Sequence, residues 1–509
     1  MNKIIVRIIA LFVFGSITLQ LSACTKTEIE TVLPEENVFL INSQNDFEKW
    51  SNHKFPPGSK VLFAAGKSFT GQFILRGSGT AELPNLVAAY EPESGKIYTD
   101  EVENKPVLQG EGKRSAVLLL KNGAFWSISN LQITNTNGTA ENQGEIHGLK
   151  VVAEDVGLIE DIAIRNCYVH HVNGKVGGKN TGGIYVEVRG EQVKTKFHNL
   201  LIENNRIAHT GGVGISNQSS WGNIKSDEYH PWTNFVIRGN KVEHTGRNGI
   251  IVRYALNPVV EYNILAYNSR FDTGHSVFNF NTVGCIVQFN EAYGNTSDNP
   301  DDIDHGGFDA DYNSTGTIIQ YNYSHDNNWF CGIMKRPVNT DITIRYNISQ
   351  NELLGAFLYG FPKETGVKDV KIYNNTIYFG KGKGTRVFVA AGKTRVPTET
   401  AFYNNILYFE DKAEWGFEPD ESCVLENNLY YNLNPKGENA INEDPLFENA
   451  GSGGVDIDMT NPNRLAGYRL KAGSPAINSG KQADGHAAKD FLGNAVKGKP
   501  DIGAIEFQK

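Results

Sequence analysis

From about residue 106 to 445 the chain repeats one unit: a short run alternating apolar and polar positions, an asparagine, a second short apolar run and a turn. Segments such as IENNRI, VEYNIL, IQYNYS, IRYNIS, IYNNTI and FYNNIL carry it. Alternation with a period of two predicts strands that bury one face. The marker asparagines are Asn130, Asn166, Asn205, Asn240, Asn263, Asn290, Asn322, Asn347, Asn375, Asn405 and Asn428, spaced from 23 residues (Asn240 to Asn263) to 39 residues (Asn166 to Asn205). Asparagine tolerates left-handed backbone and its amide can bond to the main chain, so one per unit predicts a recurring tight turn. Stacked units would then form an asparagine ladder, and the variable spacing predicts loops inserted into a solenoid.

Aligning the first strand of successive units gives GIYVEV (183–188), GVGISN (212–217), GIIVRY (249–254), SVFNFN (276–281), GFDADY (307–312), CGIMKR (331–336) and GAFLYG (355–360). With apolar residues inside, the outward set is Tyr185, Glu187, Ser216, Arg253, Asn279, Asp309, Asp311, Arg336, Phe357 and Tyr359, sharing one face because stacked strands lie ~4.8 Å apart. The register at 276–281 and 331–336 is open by one residue, which decides whether Lys335 or Arg336 points out. Residues 36–105 read as an N-terminal cap with the first strands, including a short helix near Asp46–Trp50, and 446–509 as a closing segment.

The 53 glycines and 3 methionines among 509 residues fit many short strands and turns. A net charge of −9 without a basic stripe argues against nucleic acid as a partner. Residues 1–24 have a charged start, an apolar run and the ending Leu21-Ser22-Ala23-Cys24, which resembles the lipobox of bacterial lipoproteins. The resemblance implies lipidation at Cys24, a tether over 25–35 and a lipid anchor in the envelope, expected at the outer membrane of a Gram-negative cell. Cys167, Cys285, Cys331 and Cys423 lie far apart among apolar neighbours and read as packed thiols.

The repeat resembles the right-handed parallel β-helix of the pectate-lyase superfamily, and the segment from DPLFENAG through DIGAIEF resembles the closing segment of secreted bacterial β-helix proteins. The expected fold is all-β: a single-stranded right-handed parallel β-helix with an N-terminal cap, expected to be monomeric.

Candidate chemistry concentrates between Asp298 and Arg336. Phe308-Asp309-Ala310-Asp311 alternates at strand period, placing two carboxylates on one face ~6.6 Å apart along the backbone, near the lower edge of the ~6.5–9.5 Å range for inverting glycosidases. Crowded carboxylates raise one pKa and so supply an acid beside a base. The pair resembles polygalacturonase-type hydrolases, without their NTD, GHG and RIK motifs. It also resembles the alginate lyase and chondroitinase B group, in which such a pair and an asparagine one coil earlier hold calcium. In that resemblance Asn279 and some of Asp301, Asp302 and Asp304 join the metal, Lys335 or Arg336 supplies the arginine, and Thr315-Gly316 stands where the lysine base belongs. His305 is the nearest histidine for acid or base work, whereas His171, His209, His244 and His325 recur at a coil corner and read as a structural ladder. Arg253, Glu187, Asn279, Tyr185 and Tyr359 on the strand face, with Trp221 and Trp232 in the long 219–234 insertion, are the expected substrate contacts, and Lys335 and Arg336 join the aspartates and His305 as catalytic candidates that could bind an acidic group of the glycan. The favoured function is an extracytoplasmic glycoside hydrolase acting on a polysaccharide or oligosaccharide with Asp309 and Asp311 and no required cofactor. A calcium-assisted lyase and a non-catalytic glycan-binding protein are the alternatives.

Overall fold

The computed structural model describes residues 37–139, 144–297, 304–334, 339–360, 367–390, 397–482 and 485–508. Cys24 with the export segment, and Asp301, Asp302, Lys335 and Arg336, lie outside the described residues.

Successive coils contribute strands to three long parallel sheets, of 16, 11 and 13 strands. One full turn runs Val213–Ser219, Trp232–Arg238, Lys241–Thr245 and back to Ile250–Arg253, in the sheet where it began. This is the right-handed parallel β-helix expected from the repeat. Inward rows are built from aliphatic and aromatic side chains, for example Ile215, Ile250, Val277, Phe308, Cys331 and Phe357 in sequence across the 11-stranded sheet. All belong to one continuous core. The helix Gln44–Trp50 covers the first coil; Ser43 and Asp46 form a capping box, and Phe47 packs on Phe63, Phe69 and Phe73. Residues 446–508 fold back along the tyrosine-rich outer side of the later coils, where Phe447, Tyr468 and Phe491 join Tyr323, Tyr346 and Tyr378 in a second core.

The asparagine ladder runs unbroken through Asn205, Asn240, Asn263, Asn290, Asn322, Asn347, Asn375, Asn405 and Asn428, each Nδ2 donating to the next Oδ1 at 2.9–3.1 Å. The left-handed residue, however, is the one before the ladder position: Asn204, Tyr262, Phe289, Tyr321, Tyr346, Asn374, Asn404 and Asn427 all have positive φ. Asn130 and Asn166 are themselves left-handed and belong to that preceding position, with Cys167 donating its backbone N–H to Asn205 where a ladder amide would stand.

Three expected outward residues point inward. Tyr359 and Phe357 share rows with Ala310 and Phe308 and are buried in the core, Tyr359 bonding Thr400 at 2.7 Å. Asn279 pairs with Ala310 and bonds Thr282 and Thr317 within the solenoid. Its neighbours Phe278 and Phe280 take the outward places.

Candidate active site

The outward row Ile251, Phe278, Asp309, Gly332, Leu358 places Asp309 on the external face of the 11-stranded sheet. Asp311, two residues on, shares that face as the alternation requires. Both carboxyl groups leave the solenoid, yet neither stands in open solvent: Asp309 is 3% and Asp311 8% exposed. Gly332 is what admits Asp309, since a Cβ there would lie 2.7 Å from its Oδ1. That oxygen is buried without a hydrogen-bond partner among the described residues.

The other Asp309 oxygen meets His275, a residue whose role the sequence did not suggest. His275 Nε2 lies 3.0 Å from Asp309 Oδ2 and 2.8 Å from Asp304 Oδ1, with its ring edge-on to Trp329 at 4.7 Å. Burial alone would make this imidazole less basic, but the two aspartates outweigh it and raise its pKa to about 10. His275 is therefore a cation at neutral pH. Burial pushes Asp304 up, but His275, the Thr273 hydroxyl at 2.8 Å and Lys179 hold it well below the usual carboxylate range. Asp311 goes the other way: burial and then the Asp309 charge push it up to about 7, against the pull of Lys179 and the Tyr312 amide. The face thus holds a carboxyl group that keeps its proton near neutrality and carboxylate charge fixed by an imidazolium.

The two carboxyl groups that His275 bridges differ in access. The Asp304 side chain is 44% exposed and the Asp309 side chain 2%, so Asp304 is the one solvent reaches and Asp309 braces His275 from the buried side. Lys179 arrives from the 173–181 connection and lies 4.4 Å over the Phe278 ring. Phe278 and Phe280, with Tyr254 and Tyr312 edge-on to Phe280 at 6.1 and 4.9 Å, give the neighbouring coil an aromatic surface.

The remaining expected contacts separate. His305 is buried and lines a different cavity with Asn268, Arg270 and Thr296, so His275 takes the place expected of it. Trp232 is a core residue packed on Phe197 and Phe235, and half-buried Trp221 packs its loop against the solenoid; neither presents a ring to the aspartates. Tyr185 stacks on His147 at 4.8 Å and Glu187 pairs with Lys150 at 3.0 Å. Tyr185 stands four coils from Asp309, or ~19 Å. Arg253 is on the correct face but buried under the 173–181 connection. His171, His209 and His244 stack at 4.9 and 5.0 Å as expected, while His325 leaves that ladder to bond Glu291 and Asp326.

Among the described residues a calcium site does not fit the donors. Asn279 faces the interior, and the imidazolium of His275 already occupies the space between Asp304 and Asp309.

Fold and site together define a class: a parallel β-helix whose external strand face carries a carboxyl cluster with divided protonation states. No protein-family model matches the chain. Lacto-N-biosidase of Bifidobacterium longum subsp. longum is 26% identical over 559 aligned positions, covering 88% of this chain and 34% of that protein, so the chain spans about a third of that relative's length. A selenomethionine crystal structure of the GH136 lacto-N-biosidase from Eubacterium ramulus has a TM-score of 0.56 at 21% identity, covering 75% of this chain and 63% of that one. The native structure of the same enzyme gives 0.51 at 19%, over 77% and 62%. These structural likenesses agree with the solenoid described above.

Proposed function

We propose that this protein is a glycoside hydrolase that cleaves an oligosaccharide as a lacto-N-biosidase does. The observation that carries the proposal is the carboxyl cluster on the external face, where His275 bridges Asp304 at 2.8 Å and Asp309 at 3.0 Å, and where burial with the Asp309 charge favours the protonated form of Asp311 while His275 favours the charged form of Asp304. Glycosidic cleavage needs that pair, because the leaving oxygen takes a proton as positive charge develops at the anomeric carbon. Asp311 is assigned as the acid. Asp304, the more exposed of the two carboxyl groups that His275 bridges, is the carboxylate that acts on the far side of the sugar, and Asp309 keeps His275 protonated so that Asp304 stays charged. The similarity to lacto-N-biosidase over most of the chain supports the same reaction class.

Among the described residues the lyase reading lacks its parts. It needs a side chain to remove a proton next to a carboxylate, and Thr315-Gly316 offers no such base; the calcium ligand Asn279 is turned inside.

The assay is release of lacto-N-biose from a chromogenic lacto-N-bioside. Wild type is expected to release it, Asp304→Asn to lose at least ~10²-fold in kcat, and Asp309→Asn to lose less while lowering the pKa of His275. A fully active Asp304→Asn enzyme would remove Asp304 from the mechanism.

A further inference from the structure

The connection between the strands Tyr168–Val172 and Gly182–Arg189 crosses the external face instead of turning tightly into the next strand. Two arginines from later coils hold it there. Arg247 donates to the Gly177 carbonyl at 2.6 Å while paired with Asp272 at 2.6 Å. Arg253 Nη2 donates to Asn180 Oδ1 and Ser216 Oγ at 2.9 Å and to the Lys179 carbonyl at 3.3 Å, and Ser216 Oγ donates to that same carbonyl at 2.9 Å. Arg253 has no carboxylate within ion-pairing distance among the described residues and is 6% exposed. A buried guanidinium with only neutral acceptors is costly, and the acceptors it finds are Asn180 and the Lys179 carbonyl of this connection with the Ser216 hydroxyl that bonds the same carbonyl.

What the connection delivers is Lys179. Its ammonium sits over Phe278 within cation–π range and makes no ion pair closer than 4 Å among the described residues. The charged groups facing it are Asp311, Asp304, Arg247 and Arg253; those facing Asp311 are Asp309, Lys179 and His275. We propose that Lys179 is a positioning residue of the site, held over Phe278, the residue paired with Asp309 one coil on, by a strap that Arg253 pins down, so that a loop from earlier coils brings a cation to the carboxyl face. The inference rests on the hydrolase reading above. It assigns Arg253 to the strap and not to the sugar.

Removing the ammonium leaves only His275 and the Tyr312 amide to favour the Asp311 charge against Asp309 and burial, so its proton is held more tightly. The alkaline limb of kcat/KM is expected to move upward in Lys179→Met and Lys179→Gln, making the variant-to-wild-type ratio of kcat/KM rise with pH. Lys179→Arg keeps the limb near its wild-type place. Arg253→Met, which frees the strap, shifts the limb in the same direction as Lys179→Met. A merely structural Lys179 would lower activity by the same factor at every pH, and that outcome overturns the proposal. Titration of ¹³C-labelled aspartate carboxyls in wild type and Lys179→Gln reads the same shift without turnover. An unchanged Asp311 titration refutes the role of Lys179 even in an active hydrolase, whereas a shifted titration in a protein with no glycosidase activity supports the strap and sinks the hydrolase reading.

Discussion

Asp311→Asn is expected to lower kcat by about 10²–10⁴-fold, because the amide cannot hand a proton to the leaving oxygen. KM should change little, since the amide keeps the shape and hydrogen-bonding reach of the acid. The alkaline limb set by a group titrating near 7 should vanish with it. The same substitution has a stability signature of definite sign. A carboxyl whose folded pKa stands above its unfolded value binds its proton more tightly when folded, so the wild type loses stability as pH rises from the ordinary aspartate range through about 7. The asparagine carries no such loss. Asp311→Asn should therefore melt above wild type in mildly alkaline buffer, with the difference closing in acid. Equal melting at both ends would mean that Asp311 is not a strained acid, and unimpaired turnover would place the acid elsewhere.

The second large effect concerns the solenoid. Asn290→Ala should cost about 3–5 kcal/mol in urea unfolding, from leaving buried polar groups unpaired at ~1–3 kcal/mol each. The Asn290 amide donates to Val260 O, Gln288 O and Asn322 Oδ1, and its oxygen accepts from Asn263 N and Nδ2. Truncation strands the Asn263 N–H and the Val260 carbonyl in a place water does not reach. The asparagine ladder joins neighbouring coils, so the loss is expected to lower the cooperativity of unfolding as well as the midpoint. A cost under about 1 kcal/mol would show that the ladder is ornamental.

The solenoid was legible because its signals are local and repeated. One buried amide per coil and a period of two are written into every unit, and loop insertions change their spacing without changing their form. The ladder was displaced by one residue at Asn130 and Asn166 for a physical reason: asparagine suits both the left-handed turn and the position after it, and IENNRI, IYNNTI and FYNNIL supply one for each.

The face was legible only where polarity alternates. GFDADY has a single sensible register, and Asp309 and Asp311 leave the solenoid as the pattern demands. SVFNFN invites the opposite choice to the one the fold makes, because two phenylalanines look interior and are exterior. GAFLYG offers three large apolar side chains in a row, so nothing local says that Leu358 and not Tyr359 faces out; the pairing of Cys331 with Phe357 decides it. Lys179 and His275 carried no local mark. One reaches the aspartates from a loop several coils earlier in the chain, and the other gains its meaning only from two carboxylates that meet it in space.

The most direct test of the account is hydrolysis in ¹⁸O-labelled water, with the sugar products analysed by mass spectrometry. Cleavage by the proposed chemistry adds one solvent oxygen to the released disaccharide at its new reducing end, and Asp311→Asn abolishes that labelled product. An unsaturated sugar free of label, or no product from an intact and folded enzyme, would contradict it.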